Sequence, residues 1–427
     1  MSRSSGTSRS ILMLAWLAAP DRGSEWAAAW GMARVAARLG RVLLLVRPDC
    51  APAIRAWCER HPEVPIEPVP VAAPAGAHRR LAELLPKGHF LDYLIWLDAA
   101  ATVAQELARG QRLDLAVHAA LGCYWLPSPV TELGVPSVWG PVGGATRTPP
   151  PLLPVLGARG LAERALERLV LGLGARLPST RRTMRRADLV LVECRATLPV
   201  LPADVAARAR IFNRAVLTEV PPVPPRERGR FVLFPSTLDA RKGPMLAVEA
   251  LRRAPPGTEL LFANEGPEEP RLRRRVVELG LEGRVRFLGR VPRVRCFELV
   301  REAGCVLFAG TNEDGGCALV EAMLLGAPVV VLAHSGPAEI VERWGTDPSR
   351  ALLVPPGAPP AVAGAMAEAI GRLFDRPPRA HDPHLDQAGA TLAFLGLLEE
   401  VMAATGACRS PAEPVAARPT EPALPTP

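Results

Sequence analysis

Two hydrophobic rhythms alternate along this chain. Short runs such as ILMLAWL at 11–17, VLLLV at 42–46 and VVVL at 329–332 are apolar at every position, as strands buried on both faces of a sheet are. Between them lie stretches such as EWAAAWGMARVAARL at 25–39, where apolar residues return every three to four positions and predict a helix with one buried face. The first half therefore carries expected strands at 11–17, 42–46, 93–97, 113–118, 137–139, 189–192 and 210–212, with helices at 25–39 and 99–109. A second series places strands at 231–234, 259–262, 285–288, 305–308, 329–332 and 352–354, spaced by helices that include 245–253 and 270–279.

Strands that alternate with helices predict an α/β protein with parallel sheets. A chain of 427 residues exceeds the usual single-core limit, so two domains are expected. The boundary is placed at PPVPPRERG, 221–229, which has the proline-rich, charged composition of a linker. The expectation is two doubly wound, Rossmann-like domains, 1–220 and 230–378, facing a cleft between them, because such sheets bind ligands beyond the carboxyl ends of their strands. A helix within 379–404 is expected to pack back on the first domain. The tail 405–427 has no hydrophobic period and is expected to be disordered. No run approaches the ~20 apolar residues of a membrane span. The start, MSRSSGTSRSILMLAWLAAP, has the layout of a secretory signal, but it is read as a first buried strand because the residues after it complete a loop the fold needs.

Eight cysteines lie scattered without a C-x-x-C pair or zinc-like spacing, which fits reduced thiols in a cytoplasmic protein. The net charge of +8 comes from arginine. It fits an anionic partner, and it fits equally a composition in which arginine, alanine and proline are all inflated. The basic residues do not alternate with aromatics, so no nucleic acid is expected as a partner. Only two lysines occur, Lys87 and Lys242, which singles out Lys242 as a residue kept for its compact ammonium. The stretch 161–186 mixes leucines with Arg164, Arg168, Arg176, Arg181, Arg182, Arg185 and Arg186. It reads either as a solvated helix face or as a surface resting on anionic lipid, giving a peripheral contact with the inner face of the membrane.

The chemistry concentrates in TNEDGGCALVEAMLLGAPVVVLAHSGPAEIVE, 311–342. Glu313 follows a strand, Gly315 and Gly316 permit a tight turn, and Glu321 lies one turn into the next helix, whose first amides are free. Carboxylates accept from hydroxyls and free amides bind anions, so the segment suits vicinal hydroxyls and a diphosphate, as in a nucleoside diphosphate sugar. In FVLFPSTLDARKGPMLAVEAL, Lys242 and Gly243 stand between a strand and a helix, where an ammonium and helix-start amides hold a phosphate together. Gly289, Arg290 and Val291, at a later strand end, are candidates to hold a nucleobase through backbone groups. In APDRGSEWAAAW, Gly23 and Ser24 form the first strand-to-helix loop and Glu25 opens the helix. This is not G-x-G-x-x-G, so a nicotinamide site is poorly supported. His118 ends the run LDLAVH, where its side chain is expected to reach the cleft; a structural histidine is the other reading. Gly143 and Gly144, in VWGPVGGATRTPP, either admit an acceptor closely or make a turn.

Together these segments resemble the retaining glycosyltransferases of family 4, which have the GT-B fold, over nearly all of 11–403. The GSE loop at 23–25 and the WGPVGG loop at 139–144 place the likeness in one branch of that family. The resemblance implies that the first domain binds the acceptor and the second a nucleotide sugar such as a UDP-sugar. It implies that Glu313 contacts the sugar, that Glu321 accepts from ribose hydroxyls, and that the amides of Gly315, Gly316 and Cys317 meet sugar and diphosphate. Lys242 would neutralise the leaving diphosphate, His118 would approach the reacting carbon, and the Gly23 loop with Ser24 and Glu25 would close over the phosphates. Thr237 stands where the family has arginine, leaving Arg241 or Arg214 as substitute cations. No cofactor and no metal is implied, and no D-x-D motif is evident. The implied activity is retaining transfer of a sugar from a nucleoside diphosphate sugar to a hydroxyl of a sugar, lipid-linked or small-molecule acceptor, as in bacterial polysaccharide or natural product synthesis. Thr237 raises one alternative, a catalytically weak nucleotide-sugar-binding partner subunit.

Overall fold

The structure, a computed structural model, describes residues 9–74, 89–375 and 382–406. Its first sheet comprises β1 (Arg9–Ala15), β2 (Gly40–Val46), β3 (Ile66–Pro70), β4 (Leu115–Ala120), β5 (Ser137–Val142), β6 (Leu189–Val192) and β7 (Arg210–Ile211), in the order β3-β2-β1-β4-β5-β6-β7. The second comprises β8 (Phe231–Phe234), β9 (Glu259–Phe262), β10 (Val285–Phe287), β11 (Cys305–Phe308), β12 (Val329–Leu332) and β13 (Ala351–Val354), in the order β10-β9-β8-β11-β12-β13. The paired strands are parallel throughout. Parallel strands need crossover connections, and helices packed on both faces bury the central strands, which is why those strands read as unbroken apolar runs.

The helices are α1 (Glu25–Ala36), α2 (Ala51–Arg60), α3 (His89–Gly110), α4 (Gly157–Arg176), α5 (Pro178–Arg186), α6 (Ala203–Ala206), α7 (Pro244–Arg253), α8 (Glu269–Glu278), α9 (Arg293–Glu302), α10 (Cys317–Leu324), α11 (Ser335–Trp344), α12 (Pro359–Phe374) and α13 (Gln387–Gly406). Strand order reverses between β1 and β4 in one sheet and between β8 and β11 in the other. Doubly wound sheets bind ligands at such switch points, outside the strands' carboxyl ends.

One expectation is corrected, and one strand stands where none was expected. Residues 93–97 are not a strand but part of α3, where Tyr93, Trp96, Leu97, Ala100 and Ala104 form one buried face against Leu12, Leu14 and Trp16. A five-residue aromatic run fits either state, and the helical period emerges only over the whole element. The unpredicted β3 reads IEPVP and lies at the sheet edge, where strand prolines need cost no ladder hydrogen bond. The two halves also exchange packing segments. A 3₁₀ turn at Pro150–Leu156 sends Leu152 and Val155 into the core of the second sheet, beside Val232, Phe234 and Met366. The chain then returns: in α13, Phe394 stacks on Phe212 with ring centroids 5.1 Å apart, and Gln387 Nε2 donates to the Thr218 carbonyl at 2.6 Å. Residues 1–8, Lys87 and the tail beyond 406 lie outside the described residues. Among those described, seven cysteines form no disulfide and no helix is long and apolar enough to cross a membrane.

Candidate active site in the interdomain cleft

At the second switch point, β8 runs into a loop that the Asp239 carboxylate closes by accepting from Arg241 N at 3.0 Å. Gly243 follows at φ 71°, and a Cβ there would lie 2.2 Å from the Ala309 carbonyl oxygen. Only glycine permits both the left-handed backbone and that approach. The loop is thereby pressed against the end of β11, and Lys242 Nζ pairs with Glu313 Oε1, both side chains largely buried. Two residues expected to act together from separate motifs are thus in contact.

The α10 helix begins at Cys317 with Gly316 as N-cap and no side-chain cap, so its first amides have no side-chain acceptor from the capping position. One turn on, Glu321 Oε1 accepts from Arg293 Nη2 at 2.8 Å. Burial raises the Glu321 pKa while Arg293 opposes that shift. Above this pair stands Gly23 of the β1–α1 loop: a Cβ there would lie 3.4 Å from Arg293 Nε and 3.7 Å from Glu321 Oε1. Ser24, next in the loop, holds a positive φ of 56°, an uncommon conformation for a residue with a side chain. Gly289, Arg290 and Val291 occupy the turn between β10 and α9, just before Arg293. Sequence reasoning missed Arg293, since one arginine among so many carries no signal.

Arg214 is buried at the floor of the first domain. It pairs with Glu25 through Nη2 and with Glu193 Oε1 through Nε at 3.0 Å, and Nη1 donates to the Ala119 carbonyl at 2.9 Å. Burial works against its charge, but Glu25 and Glu193 together hold its pKa above the usual arginine value. Burial pushes Glu193 up to about 8 against the pull of Arg214, and Glu193 Oε2 has no hydrogen-bond partner among the described residues. Arg214 is therefore committed to two carboxylates and is not a spare cation for the phosphate site. Thr237 is exposed, with its carbonyl accepting from Asp239 N at 2.8 Å. Of the two candidate substitutes, Arg241 is the one whose side chain is half-exposed at the cleft.

Asp314, which sequence reasoning passed over, joins the two domains. Its Oδ2 accepts from Gly144 N at 3.0 Å and its Oδ1 from Thr146 Oγ1 at 2.7 Å, while its carbonyl accepts from Asn213 Nδ2 at 2.8 Å. A Cβ on Gly143 would come within 3.0 Å of Asp314 Cβ. The glycine loop therefore lines the cleft, but the Gly144 amide is already taken from across it. His118 is a second correction. It is 2 % exposed, with Nε2 2.6 Å from Tyr93 Oη and Nδ1 2.7 Å from Ser128 Oγ. Strand alternation turns it to the face that α3 covers, so it does not line the cleft. Burial, with the Arg214 charge, lowers its pKa to about 4 and keeps the ring neutral.

The cleft has a volume of about 1630 Å³ and is lined from both sides, by Glu25, Gly143 and Gly144 on one and Arg241, Gly315 and Cys317 on the other. Such dimensions exceed those of an ordinary small-molecule pocket and leave room for two substrates.

Residues 218–381 match the family model described as Glycosyl transferases group 1. The chain is 27 % identical to a 2-deoxystreptamine glucosyltransferase of Streptomyces kanamyceticus over 304 residues, covering 66 % of this chain and 73 % of that protein. Matches to other curated relatives span only 15–48 % of those proteins' length. Among solved structures, an α,α-trehalose 6-phosphate synthase from Burkholderia multivorans has a TM-score of 0.57 at 15 % identity, covering 96 % of this chain and 100 % of that one. Anabaena HepE in complex with UDP-glucose has a TM-score of 0.51 at 18 % identity, covering 94 % and 100 %. The chain has the GT-B fold, and its second domain is similar to the group 1 glycosyl transferases.

Proposed function

We propose that this chain is a retaining glycosyltransferase that moves a hexose from a nucleoside diphosphate sugar to an acceptor hydroxyl. The observation that carries the reading is the grouping at the β8–β11 switch point: the Lys242–Glu313 pair, the start of α10, and Glu321 held by Arg293 beneath Gly23. An ammonium and helix-start amides meet a diphosphate, and carboxylates meet sugar and ribose hydroxyls. In this reading Lys242, Arg241 and the α10 amides balance the phosphate charge, so no metal is required. Gly289 to Val291 flank the base, and Arg293 fixes the Glu321 carboxylate that accepts from the ribose.

The donor C1–O bond breaks with oxocarbenium character and its electron pair leaves with the diphosphate. The acceptor oxygen forms the new bond to C1 from the face the diphosphate leaves, and its proton passes to a phosphate oxygen. Catalysis is then chiefly positioning and charge stabilisation. His118, held neutral below the floor, shapes β4 and α3 rather than touching the donor. Exposed Thr237 supports a second reading, a subunit that binds a nucleotide sugar without turning it over.

A thermal-shift screen against nucleotide sugars tests both readings, since a specific ligand at 100 times its Kd adds ~2.7 kcal/mol. A shift with donor turnover supports the enzyme, and a shift without turnover under any acceptor condition supports the binding subunit. No shift with any nucleotide sugar refutes both.

A further inference from the structure

Helix α4 is built inside out. Of its 20 residues only Gly160 is buried. Leu166, Val170 and Leu173 follow one another at spacings of four and three, the repeat of a single helical face, and Leu177 stands just past the helix end. Each is 49–60 % exposed, and none of the four lines the cleft, whereas Arg164, Arg168 and Ala175 do. That apolar stripe therefore looks away from the protein, while the cleft side of the helix carries Arg164 and Arg168 together with Leu161, Leu169 and Leu171. The helix is not awaiting a place in the core, because both ends are fixed. The turn before it is anchored in the second domain through Leu152 and Val155. Near its other end Gly174 lies so close to Trp125 that a Cβ would come within 2.9 Å of the Trp125 carbonyl oxygen.

The charge around the stripe decides what covers it. The glutamates of α4 are paired with arginines of the same helix, Glu163 with Arg159 and Glu167 with Arg164. The next helix, α5, exposes Arg181, Arg182, Arg185 and Arg186, of which only Arg186 has an acidic partner among the described residues, Glu132. A second copy packed face to face would bring like charges together. An anionic bilayer meets both halves of the surface: acyl chains take the leucines and headgroup phosphates take the arginines.

We propose that α4 and α5 dock the protein on an anionic membrane surface. The inference rests on the proposed transferase reading in one respect, the identity of the acceptor. Arg181 and Arg185 also line the cleft, so the docked surface runs directly into the acceptor half of the site. The acceptor is then a membrane lipid carrying a sugar or polyol hydroxyl on an anionic headgroup, entering from the bilayer past Arg168.

The test is co-sedimentation of the full chain with vesicles of phosphatidylcholine with and without phosphatidylglycerol. The wild-type chain should bind only the anionic vesicles. The variant Leu166→Asp/Val170→Asp/Leu173→Asp should lose about tenfold in bound fraction, and Arg181→Gln/Arg182→Gln/Arg185→Gln should bind as weakly as the wild type binds neutral vesicles. All substituted side chains are exposed, so both variants should keep the wild-type melting temperature, and the aspartate variant, none of whose residues lines the cleft, should keep any shift with nucleotide sugars. Wild-type protein left in the supernatant overturns docking, as does undiminished binding by the aspartate variant. A dimer seen by light scattering without vesicles, and lost in that variant, assigns the stripe to a second copy instead. Nucleotide-sugar binding is read separately, so its absence from a vesicle-bound wild type sinks the transferase reading and leaves docking standing.

Discussion

Arg214→Met tests whether the cleft floor is built on one buried cation. The substitution keeps most of the side-chain volume and removes every donor. Glu25 loses its ion-pair partner, Glu193 Oε1 loses the guanidinium N–H that it accepts from, and the carbonyls of Ala119 and Pro141 lose their guanidinium contacts, at 2.9 and 3.4 Å. Breaking a buried pair by removing one partner costs about 3–5 kcal/mol. Each carbonyl left unsatisfied adds about 1–3 kcal/mol. The total stays near the lower figures because Glu193, pushed up to about 8, already carries a proton at neutral pH and is not left as an isolated charge, and partly exposed Glu25 finds water. A net loss of about 3–5 kcal/mol, at roughly 2–4 °C per kcal/mol for a domain of 150–250 residues, lowers Tm by roughly 6–20 °C. Thermal unfolding followed by circular dichroism reads it. Adding Glu193→Gln should recover part of the loss, since residues in one network couple by about 0.5–3 kcal/mol. A drop below about 2 °C, with no coupling to Glu193, refutes the idea that Arg214 organises the floor.

Glu193 itself gives stability a pH slope. Its folded pKa, about 8, lies above the ordinary 4.5, so between those values the folded state keeps a proton the unfolded chain has lost. The stabilisation is complete below 4.5 and disappears as pH rises through 8. The wild-type unfolding free energy, read from urea unfolding, should therefore fall from pH 5 to pH 8 relative to Glu193→Gln, by an amount on the order of a few kcal/mol, and parallel curves would exclude the shift. Lys242→Ala should cost about 10²–10³ in turnover with the fold intact, as loss of one preorganised donor does; unchanged turnover removes Lys242 from the mechanism. Gly243→Ala forces a Cβ toward the Ala309 carbonyl at a positive φ, and urea unfolding should show a loss of about 2–4 kcal/mol; a wild-type midpoint would mean the loop can move aside. Asp314→Ala removes the carboxylate that Gly144 and Thr146 share, so small-angle scattering should report a larger radius of gyration, and an identical profile would show that other contacts hold the cleft.

Twelve of the thirteen strands were legible because parallel strands buried on both faces need nearly unbroken apolar runs, as in LVLV, CVLF and VVVL of β6, β11 and β12. The exception, β3, is an edge strand with two prolines, and the spurious strand at 93–97 was one turn and a half of a longer helix. Site residues divided along a similar line. Lys242 stood out because lysine is scarce in this chain, whereas Arg293 and Arg214 were hidden by an abundance of arginine. The strand-end rule located His118 correctly along β4 but cannot say which face of a sheet a side chain takes, and that face is set by α3, a distant element. Glu193 and Asp314 carry no local signal at all, since the significance of one arises from distant Arg214 and that of the other where the two domains meet.

Asp314 makes the clearest case for reading 313–321 as a single device rather than as two glutamates in a motif. The three acids of that segment are engaged in three directions: Glu313 on Lys242 within the second domain, Asp314 on the Gly143–Gly144 loop across the cleft, and Glu321 on Arg293 beneath Gly23. Each contact satisfies a carboxylate that would otherwise repel an arriving diphosphate. Two of the three involve the first domain, so the loop that would hold the donor also fixes where the acceptor loop stands. Gly144 and Asp314 cannot both remain bonded and leave that amide free for an acceptor. Within the proposed reaction, acceptor binding through Gly144 requires Asp314 to release it, which couples the arrival of one substrate to the position of the segment that grips the other.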